Sequence, residues 1–211
     1  MIKISIADDH RIVREGLRRI LEGASDIQVL DEASNGREII DKVRANLPDV
    51  VLLDISMPEM DGLDATKQIH GLFPELPILI LTVHPPRQYA LRILRAGAKG
   101  YLDKHAAPEE LIRAVRKVCA GQRYLSPEAA EDLASQLLGD VADFSRVESL
   151  SDRELQILCL IAEGRKTTEI AEGLCLSIKT VNTYRARVLS KLDLRNSADL
   201  ARFAVENHLI K

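Results

Sequence analysis

Asp54 closes an apolar run, Val50-Val51-Leu52-Leu53, and Asp8-Asp9 closes another, Ile2-Lys3-Ile4-Ser5-Ile6-Ala7. Two later apolar runs end in Thr82, after Ile78-Leu79-Ile80-Leu81, and in Lys104, just past Gly100-Tyr101-Leu102. Each of these residues sits where a buried strand would pass into a loop. In an open parallel sheet such carboxyl ends line one edge, where ligands bind. Three carboxylates, a hydroxyl and an ammonium would then meet in one cleft, a set suited to magnesium-assisted phosphoryl chemistry. Asp8, Asp9 and Asp54 can share one hard divalent ion, because Mg²⁺ takes one or two carboxylates and keeps several waters. Asp54 retains an oxygen as nucleophile. Lys104 is placed to bond that carboxylate and then the phosphoryl oxygens, to which Thr82 also offers its hydroxyl. An Asp-Asp pair after a strand is ordinarily a loop or a cap; the reading rests on four such coincidences at successive strand ends.

The elements that must hold these residues are legible as patterns. Residues 1–120 alternate short apolar runs with amphipathic segments, the sign of an α/β fold with a parallel sheet. Strands are expected at 2–7, 27–33, 49–53, 77–82 and 99–102, with helices at 11–22, 36–46, 61–72, 86–96 and 108–120. Pro48, Pro58, Pro74 and Pro77 fall at the boundaries, where they break nothing. Gly62 suits a tight turn with unusual backbone angles. Residues 121–149 read as a partly helical linker, with a modest helix from Ser126-Pro127-Glu128 to about Leu138 and a stop at Gly139. From 150 to 211 every expected element is helical. Ser151-x-x-Glu154 is a capping box for the first helix, Gly164 closes it, and helices at 167–174, 177–192 and 197–207 follow.

Composition narrows the partners. The chain has 211 residues, 46% hydrophobic and 29% charged, as in ordinary soluble proteins. No apolar stretch approaches the ~20 residues of a membrane span and no leader pattern opens the chain, so a cytoplasmic location without membrane contact is expected. Cys119, Cys159 and Cys175 are far apart, which argues for reduced thiols rather than a zinc site or disulfides. The net charge of -3 hides an asymmetry: ten basic and eight acidic residues lie from Ser151 onward, while the preceding part is acidic. Two parts of opposite charge suggest different partners.

The basic part centres on Ser177–Leu192. Ile178, Val181, Val188 and Leu192 repeat at helical spacing and are expected to pack inward, leaving Lys179, Asn182, Thr183, Arg185, Ala186, Arg187 and Lys191 outside. A helix N-terminus with Lys and Thr suits phosphate, and Asn with Arg suits base edges. The short preceding helix joins through Cys175-Leu176, as in a helix-turn-helix. A basic helix is ordinarily a solvated face, but small residues beside the charges permit close approach to a groove.

The strings Ala7-Asp8-Asp9-His10, Leu53-Asp54-Ile55-Ser56-Met57-Pro58-Glu59-Met60-Asp61-Gly62, Leu81-Thr82 and Lys99-Gly100-Tyr101-Leu102-Asp103-Lys104 resemble the receiver domain of two-component response regulators, over residues 1 to about 120. The resemblance implies a flavodoxin-like sheet of five parallel strands in the order 2-1-3-4-5. It implies that Asp54 is the aspartate phosphorylated by a sensor histidine kinase. It implies Mg²⁺ bound directly by Asp9 and Asp54, through water by Asp8, and by the backbone carbonyl of Ser56. Thr82 and Tyr101 then correspond to a switch pair, in which phosphate draws Thr82 inward and Tyr101 turns from exposed to buried. Val83 departs from the pattern, since many receivers carry a smaller residue there. His84 falls at a variable position that can tune dephosphorylation or be a solvated loop residue.

Leu150-Ser151-x-Arg153-Glu154-x-x-x-Leu158, Glu169-Ile170-Ala171, Leu176-Ser177-x-x-Thr180-Val181 and Lys191-Leu192 resemble the LuxR-type helix-turn-helix, over about 150–211. Receiver and effector together resemble the NarL/FixJ class. Cys175–Arg185, with Ala120–Tyr124, resembles its GacA/UvrY subgroup. The resemblance implies base contacts by Asn182, Thr183 and Ala186. It implies phosphate contacts by Lys179, Thr180, Tyr184, Arg185 and Arg195, with Arg187 able to serve either. Asn182 and Tyr184 depart from relatives that carry Lys and His, so the operator cannot be copied. The expected function is a transcription factor, not an enzyme, shifted by phosphorylation toward a DNA-binding homodimer on a two-fold site. Leu200, Phe203 and Ala204 are open to either a dimer seam or a core. Two rivals share parts of the pattern. A Mg²⁺-dependent aspartyl-phosphate phosphatase wants the D-x-D motif that Asp54-Ile55-Ser56 lacks. A phosphorylation-switched protein-binding adaptor would show little salt dependence toward DNA.

Overall fold

The structure is a computed structural model that describes residues 1–83, 86–138, 146–147, 149–174, 176–207 and 209–210. The chain forms two compact units, Met1–Leu133 and Ala134–Lys211, so the segment expected as a linker is divided between them.

In the first unit, strands β1 (Ile2–Ala7), β2 (Ile27–Ala33), β3 (Val50–Leu53), β4 (Ile78–Thr82) and β5 (Gly100–Asp103) alternate with helices α1 (Arg11–Glu22), α2 (Gly36–Ala45), α3 (Gly62–Leu72), α4 (Pro86–Arg95) and α5 (Pro108–Cys119). The pairs are parallel and the core order is 2-1-3-4-5, as expected. A two-residue strand, β6 (Tyr124–Leu125), extends the sheet beyond β5. Helix α6 (Pro127–Leu138) follows.

β3 and β4 are apolar almost throughout, and β1 is buried from Ile4 to Ala7, because both faces of the sheet are covered. Ile4, Ile6, Val50, Leu52, Leu79 and Leu81 pack with Leu17 and Leu21 of α1 and Leu111, Val115 and Val118 of α5. The alternate residues Val51, Leu53, Ile78, Ile80 and Tyr101 are buried as well, on the opposite face by the strand period of two. Register sets the site. Ala7 lies opposite Leu53, so the chains leave the sheet together as Asp8 and Asp54, and Thr82 lies opposite Asp103.

The second unit holds α7 (Asp152–Ala162), α8 (Thr167–Gly173), α9 (Ile178–Lys191) and α10 (Ser197–Glu206). Ser151 and Glu154 form the expected capping box, Ser177 and Asn196 cap α9 and α10, and Gly164 takes a positive φ of 81° after α7. Ile157, Ile170, Ala171 and Val181 make one cluster, against which Tyr184 packs. One open reading is decided here and one expectation changes. Leu200, Phe203 and Ala204 are buried and α10 packs on α7, so these three are core and not a dimer seam. Ile178, expected inside, is 49% exposed.

Candidate functional site

The acidic site forms where β1, β3 and β5 end. Asp8 and Asp54 are both buried, at 1% and 4% exposure, while Asp9 is exposed. Lys104 reaches between the two buried carboxylates, with its Nζ 2.6 Å from Asp8 Oδ2 and 2.8 Å from Asp54 Oδ2. Asp54 Oδ1 accepts from the Ile55 amide at 2.8 Å. The Asp8 loop is held by the His10 amide, which donates to Asp8 Oδ1 at 2.8 Å, and by Arg14 Nη1, which donates to the Asp8 carbonyl at 2.5 Å. Asp8 Oδ2 is enclosed and has Lys104 beside it as an ion pair, with no aligned hydrogen bond.

Burial raises the Asp54 carboxyl to about 6, against the pull of Lys104 and with a further push from Asp8. Burial alone would lower the Lys104 ammonium, but Asp54 and Asp8 together raise it. One ammonium between two buried carboxylates, with Asp9 next in the chain, leaves excess negative charge, and the enclosed Asp8 Oδ2 has no aligned hydrogen bond. Both features fit a hard cation with oxygen ligands. Asp8, Asp9 and His10 can each bring a ligand atom within 4.8 Å of the others. The imidazole was not singled out from the sequence; its Nδ1 lies 2.7 Å from Asp9 Oδ1.

Gly62 turns out to serve space rather than torsion. Its φ is not positive, but a Cβ there would lie 1.9 Å from the Asp54 carbonyl oxygen, so the first turn of α3 can approach Asp54 only without a side chain. The Gly62 amide donates to the Ile55 carbonyl at 2.8 Å, and Asp61 caps α3 by accepting from the Asp64 amide. Left-handed backbone in this loop falls instead on Glu59, at φ 61°.

Ser56 is half-buried in the loop after Asp54, and Thr82 and Tyr101 are fully buried on neighbouring strands. Tyr101 therefore stands in the inward position of the expected pair. The Lys104 amide donates to the Thr82 carbonyl at 3.0 Å, tying the two strand ends. Val83 is 54% exposed. His84 lies outside the described residues.

In the second unit, α9 presents Lys179, Asn182, Thr183, Ala186 and Arg187 on one exposed surface. Thr180 is half-buried, with Oγ1 2.8 Å from Ser177 Oγ at the cap. Tyr184 is partly packed and lies under the Arg187 guanidinium, 5.8 Å from its ring centre. Arg185 donates to Ser197 Oγ from Nε and Nη2, which fixes it to the start of α10, and Arg195 is exposed in the preceding turn. Lys191, expected outside, is exposed, and from there it pairs with buried Glu154 at 2.7 Å and donates to the Ser149 carbonyl. These contacts, with those from Ser151, hold the Glu154 carboxyl below its usual range despite burial.

Comparison with known proteins agrees with both halves. Residues 4–116 match the response regulator receiver domain family, and residues 148–204 match the bacterial regulatory proteins of the luxR family. The chain is similar to response regulator UvrY of Escherichia coli O6:H1, with 44% identity over 209 residues, covering 99% of this chain and 96% of UvrY. It is similar to response regulator GacA of Pseudomonas aeruginosa, with 40% identity over 210 residues, covering 100% and 98%. Among solved structures it resembles RcsB from Salmonella enterica serovar Typhimurium, bound to promoter P1flhDC in the presence of phosphomimetic BeF3⁻. That match has 30% identity and a TM-score of 0.61, and covers 96% of this chain and 97% of RcsB. The chain therefore belongs to the response regulators of two-component systems, a receiver domain followed by a LuxR-family regulatory domain, and not to a family of enzymes.

Proposed function

We propose that this chain is a cytoplasmic transcription regulator whose DNA binding is switched by phosphorylation of Asp54. Residues 1–120 act as the receiver, 121–149 as a linker and 150–211 as the DNA-binding effector. The observation that carries the reading is the buried Asp54 carboxylate, held beside Lys104 and Asp8 at the sheet edge. A carboxylate there can take a phosphoryl group from a sensor histidine kinase. An Asp54 oxygen bonds to phosphorus, the P–N bond of the phosphohistidine breaks, and the freed imidazole nitrogen takes a proton. When bound, Mg²⁺ would neutralise the phosphoryl oxygens. Asp9, Asp54 and the Ser56 carbonyl would hold it directly, and Asp8 would do so through water. Lys104 then leaves its carboxylate partners for a phosphoryl oxygen, and Thr82 follows with its hydroxyl while Tyr101 stays inward.

On the effector, Asn182, Thr183 and Ala186 face base edges. Lys179, Thr180, Tyr184, Arg185 and Arg195 face phosphates, and Arg187 serves either. RcsB, a relative, is bound to a promoter in its solved complex, which supports duplex DNA as the partner. Phosphorylation shifts an existing equilibrium toward a DNA-binding homodimer. The test compares wild type and Asp54→Ala on selected duplexes, with and without Mg²⁺ and a small phosphodonor, across a salt series. Donor-stimulated, salt-sensitive binding by wild type alone is expected. Binding indifferent to donor and substitution would overturn the switch.

A further inference from the structure

Ile178 breaks the rule that its own helix otherwise keeps. Val181, Val188 and Leu192 are buried, yet Ile178 is 49% exposed at the first turn of α9. It shares one surface with Lys179, Asn182, Thr183 and Ala186. Residues four apart stand one above another on a helix. Ile178, Asn182 and Ala186 therefore form a column in which the Asn182 amide has an apolar side chain one turn before it and another one turn after.

The neighbouring column adds to this character. Thr183 Oγ1 donates to the Lys179 carbonyl at 2.9 Å, so its hydrogen is committed to the helix backbone and its methyl remains as an apolar contribution. No Asp or Glu occurs between Ile178 and Lys191. The face thus offers no carboxylate for a cytosine amino group and nothing that repels phosphate, and Lys179 and Arg187 supply positive charge. In the major groove, an Asn amide pairs with both N6 and N7 of adenine, and the apolar feature available beside it is the C5-methyl of thymine.

We propose that Ile178 is a specificity-determining residue, packing on the C5-methyl of a thymine next to the base pair that Asn182 reads. The inference rests on the DNA-binding reading above. It assigns to this chain a preference for thymine at that step which its charged residues alone would not create.

The test uses the full-length protein with Mg²⁺ and a phosphodonor, on duplexes selected from a random library. Deoxyuridine in place of each thymine removes the methyl and leaves every hydrogen-bonding edge unchanged. At one thymine beside the adenine whose loss mimics Asn182→Ala, deoxyuridine weakens wild-type binding by about fourfold, the effect of one buried methyl. Ile178→Ala weakens binding to the parent duplex by a similar factor and is then indifferent to deoxyuridine at that position. Ile178→Val, which retains part of the side chain, falls between. Circular dichroism of each variant checks that the exposed substitution leaves the fold intact. Salt-sensitive binding that ignores deoxyuridine at every such position overturns the inference and leaves DNA binding standing. So does an Ile178→Ala protein as sensitive as wild type, or a selected site with no thymine there. Absence of binding to any selected duplex overturns both.

Discussion

Asp54→Asn should make the receiver more stable at neutral pH, although it removes the residue on which the proposed function depends. In the unfolded chain the Asp54 carboxyl titrates near 3.8, and in the folded chain at about 6, because it is buried at 4% exposure. Between those values the folded chain holds more protons, so its stability falls as pH rises through the window. Above pH 6 the full penalty is present. Two pK units correspond to about 3 kcal/mol at 1.36 kcal/mol per unit. Asn is nearly isosteric, carries no charge and still accepts from the Ile55 amide. It weakens one Lys104 contact but leaves the other, to Asp8 at 2.6 Å. The net gain at pH 7.5 should therefore be about 1–3 kcal/mol, which for a domain of this size raises the midpoint by roughly 3–10 °C. Melting of the full chain, followed by calorimetry from pH 5 to 8 in the presence of EDTA, measures it. The gain should shrink toward pH 5 and diminish when millimolar Mg²⁺ stabilises the wild type. An Asp54→Asn protein less stable than wild type at pH 7.5, or a gain that does not change with pH, would refute the reasoning.

Other perturbations separate space, ion pairing and groove contact. Gly62→Ala places a Cβ 1.9 Å from the Asp54 carbonyl oxygen; a loss of about 2 kcal/mol or more and of phosphodonor labelling should follow, read by melting and by a phosphate-affinity gel. Lys191→Met leaves Glu154 buried without its cation and should lower effector stability at pH 7 by about 1–2 kcal/mol in urea unfolding. Because the Glu154 carboxyl is held below its ordinary value of 4.5, the stability it contributes is present above that value. That contribution is lost as pH falls through the lower folded value, so the difference between Lys191→Met and wild type should narrow in acid. Lys179→Ala should reduce the salt slope of DNA binding by about 1 while weakening all sequences alike. Asn182→Ala should instead relax selectivity at one base pair, as competition binding would read.

β3 and β4 were legible because their runs are apolar on both faces, as in buried parallel strands, while β1 was legible from its alternation Ile2-Lys3-Ile4-Ser5-Ile6. β6 was not: Tyr124 and Leu125 are too short a pair to hold a period, and only their pairing with Gly100 and Tyr101 makes them a strand. The acidic trio and Lys104 were readable because strand ends fix position along one edge. Gly62 was read for its torsion, since composition says that a glycine is needed and not why. On α9 the period counted Ile178 as core, but period gives a face only where the neighbouring helix extends far enough to cover it. Lys191 is solvent-facing as its position on the helix implies, but its partner was not legible, because the buried Glu154 that it pairs with lies 37 residues away.

The two halves solve opposite electrostatic problems. At the sheet edge, Lys104 is a single cation shared by Asp8 and Asp54, and it cannot fully satisfy either while Asp9 adds charge beside them. A carboxylate held at about 6 near neutral pH is therefore kept ionised at the expense of the fold. Any ligand that supplies positive charge to this pocket binds the folded chain and not the unfolded one, and so must stabilise it. In the second unit one carboxylate, Glu154, is turned inward and tied to Lys191 and Ser151. That arrangement removes a carboxylate from the surface and anchors the end of α9 to the start of α7. The exposed face of α9 carries no Asp or Glu, while the receiver keeps its excess negative charge unrelieved. A chain built this way has its electrostatic strain where a signal arrives and none where it would meet a polyanion.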